Sequence, residues 1–485
     1  MYHSTRSHSA APPLTRRSAL AGLGAAGLAS VAAACGGTSA PPAAGGSGAP
    51  GALRWWDHFG GLQDLHTRWA EDIGAQIGAT IEHSYNEPGA ATEALQLANQ
   101  AGQLPDVYTA LVGLPLPALV EAGWVHEITV SDEAKERLPE GAFVEGLTQL
   151  DGAIYGLPAF SDKQYVGLAW YNTEIAETVG FEPPTSYDEF LGALQAIADH
   201  GEFAPMTMAL GAPGRMREQI DDLAQSGGFP GYQGMRYDTG EYEYHHDAYV
   251  TAIELYKEIS DKGFLLPGSA GFQIPDARGR WAAGGIGFHM DGPYSPGGVR
   301  SLNPDMLPLM GLAGMPTPEG EPVVAARGAR GADWVMAGST QMAEQASQLI
   351  ESFTQEDYQR ELAAGMDQPP ILLDVVAGAD VIEPYVQMVE DFSAQVFRAP
   401  QAIVRNVEVA AVEARRTPVT PELGDVIQGY LGGEIADLRQ ALVDLSDAHS
   451  TALDTAIEAA AAEGASVDRS DWEFSDWAAG QDYTY

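Results

Sequence analysis

The chain of 485 residues has one cysteine, Cys35. A lone thiol excludes an intrachain disulfide, so the fold must stand on its own core, which about 450 residues build easily. Basic residues are also scarce: 25 Lys and Arg stand against 67 Asp and Glu, for a net charge of −42, and only four of the 25 are lysine. Residues 35–485 keep 22 basic residues and all 67 acidic ones, a balance of −45. That balance argues against nucleic acid and an anionic membrane surface as partners, because both need basic patches. Catalytic signatures are missing as well. The sequence has no GxxxxGK loop, no HExxH, no GxSxG and no thiol after Cys35. Its eleven histidines do not cluster at ligand spacing. Tyr244-His245-His246-Asp247 is the one dense run, and it reads as a polar loop whose Asp247 caps the next helix. The pair Asp221-Asp222 reads as helix surface. No metal, cofactor or enzymatic activity is expected. A secreted glycosidase is the enzymatic alternative, since its carboxylates carry no local motif.

What is present begins at the N-terminus. Arg16 and Arg17 precede about fifteen Ala, Gly, Leu, Ser and Val residues that end Ala32-Ala33-Ala34-Cys35. A charged start, a short apolar run and small residues define a secretory signal, and the arginine pair points to twin-arginine export. The run is too short and too rich in Ala and Gly for a comfortable membrane span. The three alanines resemble a lipobox, so residues 1–34 are expected to be a twin-arginine lipoprotein signal peptide and Cys35 the lipidated residue. Residues 35–51, rich in Gly, Pro and Ala, are expected to be a flexible tether. The protein would then sit outside the cytoplasmic membrane, anchored to its outer face.

From Ala52 the pattern alternates. ALRWWD (52–57) reads as a strand, 62–76 as a helix with Leu65, Trp69 and Ile73 on one face, 79–85 as a strand, 90–101 as a helix, 105–111 as a strand and 118–122 as a helix. Strand–helix alternation implies parallel strands with crossover helices, with ligands at the loops after the strand ends. Further strands are expected at 165–172, 203–210, 284–290, 306–316 and 332–338. Helices are expected at 173–179, 187–200, 214–226, 247–262 and 275–283, and through most of 341–462. The acidic, aromatic residues 461–485 are expected to pack as an extended tail.

Aromatic side chains at strand ends and in loops suit the apolar faces of sugars. Trp55 and Trp56 must point to opposite faces of their strand, one inward, with one of the two a candidate for the ligand. Trp124 and Trp170 read as core. Tyr294, in the Gly/Pro loop after a strand, reads as ligand-facing.

Five stretches in order then resemble one family. They are GQLPDVY (102–108), DGAIYGLPAFSD (151–162), LAWYNTEIAETVGFEPPTSYDEF (168–190), RWAAGGIGFHMDGPY (280–294) and QMAEQASQLIESFTQEDYQ (341–359). Together they are similar to the carbohydrate-binding solute-binding proteins of ABC importers, the family that includes maltose-binding protein. The resemblance implies an α/β fold of two lobes, periplasmic-binding-protein-like of type II, with three crossovers and a helix-rich C-terminus. It divides the chain into 52–158 plus 319–370 and 159–318 plus 371–460. By position it implies ligand contacts from Trp56, Asp57, His58 and Phe59, from Ser161 and Asp162, from Asp291 and Tyr294, and from Asp333 and Trp334. It implies a monomer that captures a small solute, expected to be a sugar or oligosaccharide, and hands it to ABC permease subunits. The acidic surface and the aromatic-free loop 110–117 leave open a non-sugar solute on the same fold: a polyol phosphate, peptide or polyamine.

Overall fold

The computed structural model describes residues 51–111 and 113–485. The signal peptide, Cys35 and the tether up to residue 50 lie outside the described residues. Among those described, no helix is long and apolar enough to cross a membrane.

Local sequence chemistry sets the elements. Helix Tyr187–His200 shows how. Ser186 accepts from the Glu189 N–H while Glu189 reaches back to the Ser186 N–H, a capping box, and Gly201 closes the helix at φ 79°. Such a cap contributes about 1 kcal/mol. Its buried Phe190, Ala193, Leu194 and Ile197 follow helical spacing and face one core. The expected 306–316 strand is shorter than read. Pro304–Leu309 is a 3-10 turn holding Pro308, and only Met310–Leu312 pairs, because proline removes a ladder donor.

Two main sheets result. In the first, Ala52–Asp57 lies between Thr80–Tyr85 and Val107–Thr109, parallel to both, as the alternation required. Trp334–Ala337 joins antiparallel, next to Val107–Thr109, Val125–His126 and Gly156–Leu157. The second sheet runs Met310–Leu312, Leu168–Asn172, Ile286–Asp291, Ala204–Thr207, with only the last pair parallel.

Each sheet has its own core. One holds Trp55, Trp334, Phe353 and Tyr358. The other holds Trp170, Phe190, Trp281 and Phe288, together with residues of the C-terminal helices. The chain passes between cores three times: between Phe160 and Tyr165, between Ala325 and Trp334, and around 362–375. The second passage comes after strand Ala325–Arg327, which pairs with Val396–Arg398, so Val323 and Ala325 still pack in the larger core.

The three passages are stitched together. Ser161 N–H donates to Pro369 O at 2.9 Å. Asp333 accepts from the Ala159 and Phe160 N–H groups at 2.7 and 3.3 Å. Gln368 Oε1 accepts from Gln164 and Arg330 at 3.1 and 3.3 Å. Residues after helix Leu438–Ala462 do not run free: a 3-10 turn, Arg469–Trp472, buries Trp472, and Phe474 is buried beside it.

Candidate ligand site

The three passages meet at a cavity of about 440 Å³. Asp162 and Gln164 line it from the first passage, Arg327 and Arg330 from the second, and Gln368 from the third. Helix Pro213–Ser226 contributes Arg215, Arg217, Glu218 and Asp222, the short strand Gly231–Tyr232 contributes Tyr232, and Tyr294 comes from the N-cap of helix Ser295–Leu302.

Tyr294 reaches the cavity because its own loop makes room. Its ring folds back over Gly292, where an added Cβ would lie 2.4 Å from Cζ. Gly297 then lets helix Ser295–Leu302 close on the third passage, its N–H donating to Met366 O at 3.0 Å. The Arg215 and Arg278 guanidinia lie 4.8 and 5.4 Å from the Tyr294 ring centre. Arg327 covers Tyr232 at 4.2 Å, and Arg330 covers Phe160 at 5.1 Å. Flat rings edged by planar guanidinia offer stacking surface and forked donors together.

These cations are matched by carboxylates. Asp222, 1% exposed, pairs with Arg327 and accepts from the Val166 and Gly167 N–H groups at 2.6 and 3.2 Å and from Tyr232 Oη at 3.4 Å. Asp333 pairs bidentately with Arg330 at 2.7–3.0 Å. Glu218 lies 3.2 Å from Arg215. Burial pushes the Glu218 and Asp162 carboxyls up, with arginines opposing it. Arg215 Nη1 is the atom facing Glu218 in that ion pair, while two buried guanidine nitrogens, Arg215 Nε and Arg217 Nε, have no hydrogen-bond partner.

Of the residues expected at the ligand, Asp162 and Tyr294 line this cavity, and Ser161 lines an adjoining one with Asp162 and Arg330. The others are placed elsewhere. Trp334, 0% exposed, is core, its ring 5.5 Å from Trp55 and 4.9 Å from Phe353. Phe59 is buried against Phe160 and Trp334. Trp56 packs on the opposite sheet face from Trp55, against the cluster of Tyr108 and Val335. His58 is half-buried and bonded to Thr109 Oγ1 at 3.0 Å.

Asp291 is buried beneath the site, bonded to Arg278 Nε and Nη2 at 3.0 and 2.7 Å. Burial works against its charge, but Arg278 and nearby His289 hold the carboxyl far below the usual range. Asp333 holds the first passage in place, as described above. Asp57 is 1% exposed and points into the core, as strand alternation from Trp55 requires. There it meets His66 and His83, three residues whose ligand-type atoms lie within 4.8 Å of one another. The histidines, scattered in sequence, are thus gathered by folding, and their nitrogens bond the Asp57 carboxylate.

Two further readings change. Asp221 and Asp222 are buried rather than surface. Asp247 opens its helix but the capping side chain is His246, whose Nδ1 accepts from the Ala248 N–H, while Asp247 pairs with Arg439. The cavity residues that sequence reasoning passed over, Arg215, Arg217, Tyr232, Arg327, Arg330 and Gln368, carry no motif. Tyr232, an aromatic amid glycines in GGFPGYQG, was the one local signal.

Asp221 gives a pH test. Burial, with Asp222 nearby, pushes its carboxyl up to about 7 although Tyr249 Oη donates to it at 2.6 Å. A carboxyl raised in the folded state contributes stability below its unfolded pKa and loses it as pH rises through 7. Asp221→Asn, the shape of the protonated acid, should therefore raise stability more at pH 8 than at pH 5, the difference being about 2 kcal/mol. Equal shifts at both pH values in thermal melts would refute this.

The geometry is that of an open cleft where the chain passes between two α/β cores, and the comparisons agree with a two-lobed fold. Residues 68–388 match the family model described as bacterial extracellular solute-binding protein, and the chain belongs to that family. No curated protein sequence matches it. Among solved structures it is similar to a chitin oligosaccharide binding protein, with 18% identity, TM-score 0.63, 83% of this chain and 99% of that one. It is also similar to the GacH receptor of Streptomyces glaucescens, described unliganded and with acarbose, with 14% identity, TM-score 0.63, and 83% and 98% covered. MalX from Streptococcus pneumoniae, in complex with maltopentaose, gives 17% identity, TM-score 0.60, and 83% and 99% covered. These likenesses define a two-lobed, periplasmic-binding-protein-like fold. The protein is an extracellular solute-binding protein.

Proposed function

We propose that this chain captures a sugar or oligosaccharide between its two lobes by hinge closure and passes it, unaltered, to the permease subunits of an ABC importer. The observation carrying this reading is the cavity itself. Two half-buried tyrosine rings, carboxylates and forked guanidinia converge where the three passages meet, the mix of flat apolar faces and directional polar groups that a pyranose needs. The named ligands of the similar structures support it. A monomer tethered by acylated Cys35 to the outer face of the cytoplasmic membrane fits such a role, because delivery requires proximity to the permease.

Calorimetry against maltopentaose, raffinose and chitooligosaccharides tests it. At least one should bind, and Tyr294→Ala should weaken that binding by about 1–3 kcal/mol through lost stacking and burial. Absence of binding, or hydrolysis of the sugar, would overturn the reading. A second reading is favoured by the unpartnered nitrogens of Arg215 and Arg217: an anionic solute such as a polyol phosphate. Its affinity would fall steeply with salt, whereas a neutral sugar's would not.

A further inference from the structure

The acidic, aromatic tail is unexplained by a cleft that ends at Tyr294 and Tyr232. A second cavity, of about 660 Å³, adjoins the first and shares Asp162 and Arg327 with it. Residues 482–485 form one of its walls, and Glu140, Gly141, Phe143 and Val144 form another.

The tail is held there by specific bonds. Phe474 is buried, with the Arg405 guanidinium 3.7 Å from its ring centre, and its N–H donates to Tyr237 O at 2.7 Å. Further on, Tyr483 N–H donates to Arg398 O at 2.9 Å and Asp482 accepts from Arg398 N–H at 2.6 Å. Tyr485 Oη accepts from Gln401 N–H at 2.6 Å, and its ring meets Tyr483 edge-on at 5.2 Å. Tyr485 is nonetheless 54% exposed. A ring held at its hydroxyl and against Tyr483, yet more than half exposed, costs little entropy to stack against.

Arg398 links this wall to the inner cavity. Its backbone receives the tail while its side chain reaches Asp162 at 3.3 Å. Gly141, at φ 86°, leaves the space that guanidinium fills, since an added Cβ would lie 2.0 Å from Nη1.

We propose that Tyr483 and Tyr485 form a second saccharide subsite, so that an oligosaccharide seated at Tyr294 extends past Asp162 and stacks its outer rings on the tail. The inference rests on the sugar-binding reading above and assigns the tail to chain-length selectivity.

Calorimetry tests it with malto-, chito- and raffinose-type oligosaccharides of two to five rings, on the whole protein and on two variants: Tyr485→Ala, and a chain lacking residues 478–485. Affinity for the wild type should rise with ring number. Both variants should lose about tenfold in affinity for the four- and five-ring members, keep the two-ring affinity and, for Tyr485→Ala, keep the melting midpoint. Unchanged affinities across a series, or equal loss at every length, would overturn the subsite while leaving sugar capture intact. If the wild type binds none of the three series, sugar capture falls and the subsite with it.

Discussion

Asp57→Ala is expected to cost about 3–5 kcal/mol of folding stability, enough to remove much of what a domain of this kind possesses. The reason is the number of buried donors that one carboxylate serves. Phe59 N–H donates to Oδ1 at 3.1 Å, and His83 Nε2 and His66 Nδ1 both meet Oδ2, the former at 2.6 Å. His66 is fully buried, and burial pushes its imidazole down toward the neutral form. Neutral His66 donates from Nδ1 to Asp57 and accepts at Nε2 from Tyr358 Oη at 3.0 Å. Alanine would leave these groups without an acceptor in a core walled by Trp55 and Trp334, where no water replaces it cheaply.

The same network sets an acid limit. Burial alone would raise the Asp57 carboxyl, but the bonds from His66 and His83 outweigh it and hold it at about 2. A depressed carboxyl contributes stability above its unfolded pKa and loses it as pH falls through the folded one. Asp57→Ala should thus be less sensitive than the wild type to acid between about pH 4 and 2. Urea melts at pH 7 and pH 3 read both effects. A loss under 1 kcal/mol at pH 7 would show that the triad is not structural.

Much of the fold was legible because it is written in short-range terms. Helices Thr173–Val179 and Tyr187–His200 match their expected spans to the residue, since Asn172 and Ser186 cap them and glycines close them. The parallel order of the first three strands followed from alternation alone. The antiparallel entry of Trp334–Ala337 did not, because it depends on a partner more than 200 residues away.

The site was less legible for the same reason. Asp162 and Tyr294 follow recognisable strand ends. Asp222 and Arg327 become site residues only when helix Pro213–Ser226 and the second passage are brought together, and nothing local in Asp221-Asp222 distinguishes a buried pair from a solvated one. For Asp57 the signal lies in the strand's period: a residue two places after an inward tryptophan must also face inward, and the structure buries Asp57 in the core, away from the cavity.

Asp222→Ala should be the most damaging change at the cleft, costing about 3–5 kcal/mol in stability and most of the affinity for any saccharide that binds. Asp222 is where the cleft's parts are tied. It holds the Val166 and Gly167 N–H groups of the first passage, Arg327 of the second, and Tyr232 of the cavity wall. Burial pushes the carboxyl up, yet Arg327 and both backbone donors oppose this, and all of them serve the charged form.

Alanine would strand the Arg327 guanidinium, whose side chain is 13% exposed, and release the ring it covers. Asp222→Asn is the informative companion. It keeps an acceptor and the volume but removes the charge facing Arg327, so it should retain the fold with a smaller loss of about 1–3 kcal/mol while still weakening binding. Thermal melts and calorimetry on the two variants separate these roles. If Asp222→Asn binds as tightly as the wild type, the ion pair only supports the fold, and the arrangement of Arg327 over Tyr232 has no part in recognition.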